Sequence, residues 1–156
     1  MTRWLSDDEQ RTWRAYLAAN RLVFDQLDRE MQRDSGIPHG YYEILVRLSE
    51  APDRALRMSA LADRSQSSRS RLSHAVARLE DSGWVSRESC PDDKRGQIAR
   101  LTDEGFAALA AAAPMHVEGV RKHVFDPLTP EQVIALREIS TAMVDALINE
   151  PDAPAC

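Results

Sequence analysis

Long apolar runs are missing from these 156 residues. The longest low-charge stretch, Phe106 to Val117, is far shorter than the roughly 20 residues of a membrane-spanning helix and contains Pro114. Cysteine is scarce too. Cys90 and Cys156 have neither metal-ligand spacing nor the number for a disulfide framework. The six glycines form no phosphate-cradling loop and no nucleophile elbow, and no histidine pair shows a metal signature. An enzyme, a metal site and a bound cofactor are therefore not expected. The amino end turns acidic at Asp7-Asp8-Glu9 without an apolar signal core, so a cytoplasmic chain is expected. What is present, 43% hydrophobic and 29% charged residues, is the composition of one globular domain over 1–150, with a frayed tail at 151–156.

A net charge of −5 argues against a nucleic-acid partner until it is resolved along the chain. Residues 1–56 carry eight Lys/Arg against ten Asp/Glu, residues 57–100 nine against six, and residues 101–156 three against nine. The middle is basic and the arms are acidic. From Arg64 to Arg78 there are four arginines and no acid.

Ser6-Asp7-Asp8-Glu9 reads as a capping box opening a helix over about 7–34, with Trp13, Tyr16, Leu17, Val23, Phe24, Leu27 and Met31 at helical period. At roughly 42 Å it is too long to be covered by a compact monomer, so its use is packing against another subunit. A second helix runs from Pro38 to Pro52, burying Tyr41, Tyr42, Ile44, Leu45 and Leu48. A short third helix capped by Ser59 buries Met58, Leu61 and Ala62. Ser67-Ser68 opens a fourth, whose stripe Leu72, Ala75, Val76 and Leu79 ends at Gly83. The period then changes to two. Trp84–Ser89 and Gln97–Leu101 read as a hairpin around a charged loop, residues 90–96. Thr102 caps a helix running to about Phe125, kinked at Pro114. Thr129-Pro130-Glu131-Gln132 opens a last one with Val133, Leu136, Ile139, Met143, Leu147 and Ile148 on its buried side.

The fold class is thus mainly α with a small β-hairpin wing: a winged helix-turn-helix lobe over about 38–101, with helices at 7–34 and 103–149 left for dimerisation. Opposite the apolar stripe of the fourth helix, Arg71, His74 and Arg78 form one row, with Arg69, Ser70 and Ser73 beside it. A solvated face is the plainer reading of clustered arginine. The order of helix, turn, basic amphipathic helix and hairpin favours DNA instead, because a helix fits the major groove and Arg reads guanine O6 and N7 with two hydrogen bonds. Lys94 and Arg95 at the hairpin tip are set to reach a minor groove or its phosphates.

These blocks resemble the MarR family of transcriptional regulators. Its wing pattern stands here as Asp93-Lys94-Arg95 and Leu101-Thr102-Asp103-Glu104-Gly105, after Leu79-Glu80-Asp81-Ser82-Gly83-Trp84-Val85. The resemblance covers almost the whole chain. It implies a homodimer built by the first and last helices. Each subunit would put Ser68 to Ser82 in a major groove and Arg95 in a minor groove, on a pseudo-palindromic operator in double-stranded DNA. It also implies a small aromatic ligand that releases DNA, bound between the dimer helices and the DNA-binding lobe, where Trp13, Tyr16, Tyr42, Leu45 and His116 are candidates. The function expected is that of a repressor. The alternatives are a winged-helix scaffold for another protein and a redox sensor acting through Cys90. His116 and His123 lie seven apart on one helix face but have no third ligand, so no metal is assigned.

Overall fold

The computed structural model describes residues 1–65, 68–90 and 93–148, with the backbone alone for 93–95 and 148. Its contacts divide the chain into two compact units, residues 1–118 and a second that begins at Gly119.

In the first unit, α1 (Asp7–Ser35) starts on the expected capping box. The Ser6 hydroxyl accepts the Glu9 N–H at 3.2 Å, and the Glu9 carboxylate accepts the Ser6 N–H at 2.7 Å. It ends on Gly36, held at φ +71 where only glycine sits without strain. Helix α2 (His39–Ser49) has no side-chain cap of its own. Asp28 of α1 supplies one, accepting the His39 N–H at 2.8 Å, and thereby ties the two helices together. Beside that tie, Met31 and Ile37 join Tyr42, Ile44, Leu45 and Leu48 in the core, while Tyr41 is only half-buried.

The second helix stops at Ser49, before the expected Pro52, and a 3-10 turn (Pro52–Arg54) follows. That turn leads into a strand the sequence did not announce, β1 (Ala55–Arg57). It pairs antiparallel with β3 (Asp93–Leu101), as does β2 (Val85–Cys90), giving the sheet order β1-β3-β2. Because β1 runs straight into α3 (Met58–Arg64), Arg57 caps that helix by backbone alone, and Ser59 is not its cap. Leu61 and Ala62 are buried as expected, and Met58 partly so.

Within the 3-10 turn two consecutive non-glycine residues, Asp53 and Arg54, both lie at φ +53. Arg54 is held there by an ion pair with Asp103 at 3.2 Å and by the Phe106 ring 4.0 Å below its guanidinium. The Asp53 carbonyl accepts a bond from Arg100 at 2.9 Å, a contact any residue can make. Asp53→Val should therefore cost about 1–2 kcal/mol of stability, whereas Asp53→Gly should be neutral or slightly stabilising. Urea denaturation giving any order other than Gly at or above Asp, and Asp above Val, would refute the strain argument.

Helix α4 (Arg69–Asp81) is capped by Ser68, whose hydroxyl accepts the Arg71 N–H at 3.3 Å. Leu72, Val76 and Leu79 are buried as read, and Ala75 is partly buried. Its end is a Schellman turn: Trp84 N–H bonds the Leu79 carbonyl at 2.9 Å and Gly83 N–H the Glu80 carbonyl at 2.8 Å, with Gly83 at φ +74. The hairpin is longer than its alternation indicated, reaching Cys90 on one side and Asp93 on the other. Lys94 and Arg95 therefore belong to the strand backbone of β3 and not to the turn. Cys90, the thiol of the redox alternative, is buried at 3% exposure. Cys156 and the tail expected to fray lie outside the described residues.

Helix α5 (Asp103–Val120) contains Pro114 and is capped by Thr102, whose hydroxyl accepts the Gly105 N–H at 3.0 Å and donates to the Gly83 carbonyl at 2.7 Å. Thr102 N–H donates to the Trp84 carbonyl at 3.0 Å. One threonine thus binds the start of α5 to the end of α4.

In the second unit, a π-helical turn (Arg121–Phe125) precedes α6 (Pro130–Ile148). Thr129 and Gln132 exchange side-chain and backbone bonds at 2.9 and 3.3 Å, the second capping box. The expected buried side of this helix is not buried within one chain. Leu136, Ile139, Met143 and Leu147 are 41%, 53%, 47% and 74% exposed, and Val133 is half-buried. The side chain of Ile148 lies outside the description. On α1 only Leu27 and Met31 are buried, and Trp13, Tyr16, Leu17 and Phe24 remain exposed. Among the described residues no helix is long and apolar enough to cross a membrane.

Candidate nucleic-acid interface

Helix α4 is amphipathic in the sense the sequence required. Its apolar stripe faces the core, and Ser68, Arg69, Ser70, Arg71, Ser73, His74 and Arg78 are all exposed. Among the described residues no ion pair or side-chain hydrogen bond engages the guanidinium groups of Arg69, Arg71 or Arg78. Their five donors each stay available for an acceptor from outside. The N-terminus of α4 adds a partial positive charge at the same end as Arg69 and Arg71.

The structure enlarges this face beyond the residues anticipated. A cleft of about 320 Å³ separates α4 from the sheet, with Arg57, Ser59, Arg69, Ser73 and Gln97 on its walls. Arg57 and Gln97 were missed because β1 was missed. The one signal for Arg57 was its place in the basic middle third. The side chains of Lys94 and Arg95 lie outside the described residues, although their backbone continues β3 on this side of the lobe.

The five residues expected around a ligand do not form one group. Tyr42 and His116 meet, ring centroids 4.5 Å apart, and His39 lies 5.3 Å from His116. Phe24 of α1 completes the row, 5.7 Å from His39. Leu45 is fully enclosed, part of the core and not a wall. Trp13 and Tyr16 stack on each other at 5.9 Å on the exposed part of α1, with Trp13 about 16 Å along the helix from Phe24. His39 and Phe24 carried no earlier signal because their meeting depends on the tilt between α1 and α2.

Burial pushes the His116 imidazole below its usual pKa, the neighbouring His39 adds to this and Glu43 opposes it. The Nδ1 of His116 is buried without a hydrogen-bond partner. Burial likewise raises the Tyr42 phenol. The row is therefore flat and aromatic, and burial disfavours the charged forms of His116 and Tyr42. Among the described residues no group of three His, Cys, Asp or Glu could hold a metal ion.

A helix pair with an exposed basic second helix, set against a three-stranded antiparallel sheet whose β2–β3 hairpin follows it, defines a winged helix-turn-helix protein. Residues 35–96 match the model of the MarR family. The transcriptional regulator HosA of Escherichia coli O157:H7 is 34% identical over 83% of this chain and 91% of its own. The regulator PecS of Dickeya dadantii is 34% identical over 51% of this chain, a match that spans only 48% of that protein. Among solved structures, Sco3205 from Streptomyces coelicolor, a MarR family transcriptional regulator in complex with DNA, is 54% identical with a TM-score of 0.90, covering 99% of this chain and 96% of that one. AbsC, a MarR family regulator from the same organism, is 42% identical with a TM-score of 0.86, covering 96% of this chain and all of that one, 100%. The chain belongs to the MarR family of transcriptional regulators.

Proposed function

We propose that the protein is a homodimeric repressor that binds a pseudo-palindromic operator in double-stranded DNA. Helix α4 of each subunit enters a major groove, and Arg95 of each wing reaches the adjoining minor groove. The observation that carries this reading is the exposed face of Arg69, Arg71, His74 and Arg78 on the second helix of the motif, its arginines without an ion pair among the described residues. The likeness to Sco3205, solved with DNA, supports it. The apolar side chains of α1 and α6, uncovered within one chain, support the dimer. With two copies the half-sites fall roughly 34–36 Å apart.

Selection from a random duplex pool at near-physiological salt tests the reading. Enrichment of an inverted repeat one helical turn apart is the expected result, and no enrichment at any salt would overturn it. On the selected duplex Arg71→Ala should cost about 1–3 kcal/mol, with the loss concentrated at one base position. Equal loss on every sequence would make Arg71 a phosphate contact.

The effector belongs to the Tyr42–His116 row. A flat aromatic ring surface with one unsatisfied nitrogen suits a small aromatic molecule carrying one hydrogen-bond donor. Such a ligand releases DNA only if it binds the DNA-incompetent dimer more tightly.

A further inference from the structure

Glu80 stands where an acid is doubly unwelcome. It lies in the last turn of α4, at the negative end of the helix dipole, and it belongs to the helix read above as the DNA-reading one. Its carboxylate compensates by holding Arg87 of β2: Oε2 accepts from Nε at 2.6 Å and from Nη2 at 2.5 Å. The pair is half-buried, at 24% exposure for Arg87 and 27% for Glu80, against 38% and 99% for Arg54–Asp103 and 39% and 54% for Arg100–Glu88. A bond this short and this sheltered from water fixes geometry in a way exposed pairs do not.

Its position decides what it fixes. Only Ser82, Gly83 and Trp84 separate α4 from β2, and the Schellman bonds of Gly83 and Trp84 hold the two elements at that joint. Thr102, directly after β3, bonds the Gly83 and Trp84 carbonyls at the same joint. Glu80–Arg87 is an attachment beyond the joint on both elements, where it bears directly on the angle between them. Beyond Arg87 the ribbon keeps its register with β3 as far as Ser89, where a bulge interrupts it.

We propose that the Glu80–Arg87 pair sets the angle at which the β2–β3 ribbon leaves the reading helix, so that helix and wing meet their two grooves in register. Both are positioning residues for operator selection, a role that rests on the DNA-binding reading above.

The test uses the full chain, the selected duplex and a scrambled duplex of equal length, with fluorescence anisotropy across a salt series and thermal melting alongside. Charge counting predicts that Glu80→Gln, one acid fewer, tightens both complexes. The positioning role predicts the opposite for the operator: about tenfold weaker binding to the selected duplex, with scrambled binding unchanged or tighter. Arg87→Lys keeps the charge, loses the two-pronged bond and gives the same selective loss, which covers the case that Glu80→Gln does not fold. The swapped double variant Glu80→Arg with Arg87→Glu recovers operator binding to within about threefold of wild type. Tighter binding of both duplexes by Glu80→Gln overturns the proposal. So does a parallel loss on both duplexes that tracks a lower melting temperature. Wild-type protein retaining neither duplex overturns the DNA-binding reading itself, and the proposal with it.

Discussion

Gly105→Ala lowers stability by about 3 kcal/mol or more, and Gly105→Val leaves no cooperative thermal transition. This is the expected result although alanine is the better helix former by roughly 1 kcal/mol. A Cβ at position 105 would lie 2.1 Å from the Trp84 carbonyl oxygen and 2.8 Å from both the Trp84 carbonyl carbon and Leu101 Cδ1. Leu101 can turn aside at modest cost, but Trp84 cannot. Its carbonyl is held by Thr102 N–H and its own N–H by Leu79, so relief requires moving the joint between α4 and β2. Overpacking against backbone costs at the upper end of the usual 1–3 kcal/mol range, a large part of a typical 5–15 kcal/mol total. Circular dichroism melting of the alanine variant is sufficient. Melting at the wild-type temperature would show that the close approach of α5 to Trp84 is not as tight as described.

In the dimer proposed above, Ile139→Glu should separate the subunits and weaken operator binding by about two orders of magnitude or more. Ile139 is 53% exposed in the single chain and lies in a row with Leu136, Met143 and Leu147, so glutamate there does not injure the fold of one subunit. In a dimer interface the same carboxylate would be buried without a partner. Once dissociated, each subunit grips one half-site, and the gain from a tethered second half-site is lost. Sedimentation velocity and anisotropy on the selected duplex measure the two consequences. A variant that sediments as wild type would remove α6 from the interface.

Local chemistry was legible from the residues and distant pairing was not. Ser6 with Glu9 and Thr129 with Gln132 are caps whose partners lie three positions away, and they could be read without knowing the fold. So could the exposed face of α4, because Leu72, Val76 and Leu79 fix which side is hidden. Strand β1 has three residues and no period of its own; it exists because Ala55, Leu56 and Arg57 pair with Arg100, Ala99 and Ile98. Missing it displaced the cap of α3 from Arg57 to Ser59 and hid Arg57 and Gln97 beside the basic face. Apolar spacing placed stripes on α1 and α6 that the single chain leaves largely exposed, because periodicity does not say what covers them. Of the aromatic candidates the fold brings together Tyr42 and His116 and leaves Trp13 and Tyr16 apart from them. Leu45, one helical turn on from Tyr42, faces inward to the core.

The reading face and the mounting of α4 use different atoms. What holds the helix is its buried stripe, the Ser68 cap, the Gly83–Trp84 turn, the Thr102 bond and the Glu80 pair, whereas Arg69, Ser70, Arg71, Ser73, His74 and Arg78 contribute to none of these through their side chains. Exposed substitutions away from such contacts seldom move stability by more than about 0.5 kcal/mol. On the DNA-binding reading proposed above, the lobe is an interchangeable-tip tool: substitutions at these six positions can change what the helix reads while leaving its socket intact, so a new operator preference needs no prior stabilising substitution.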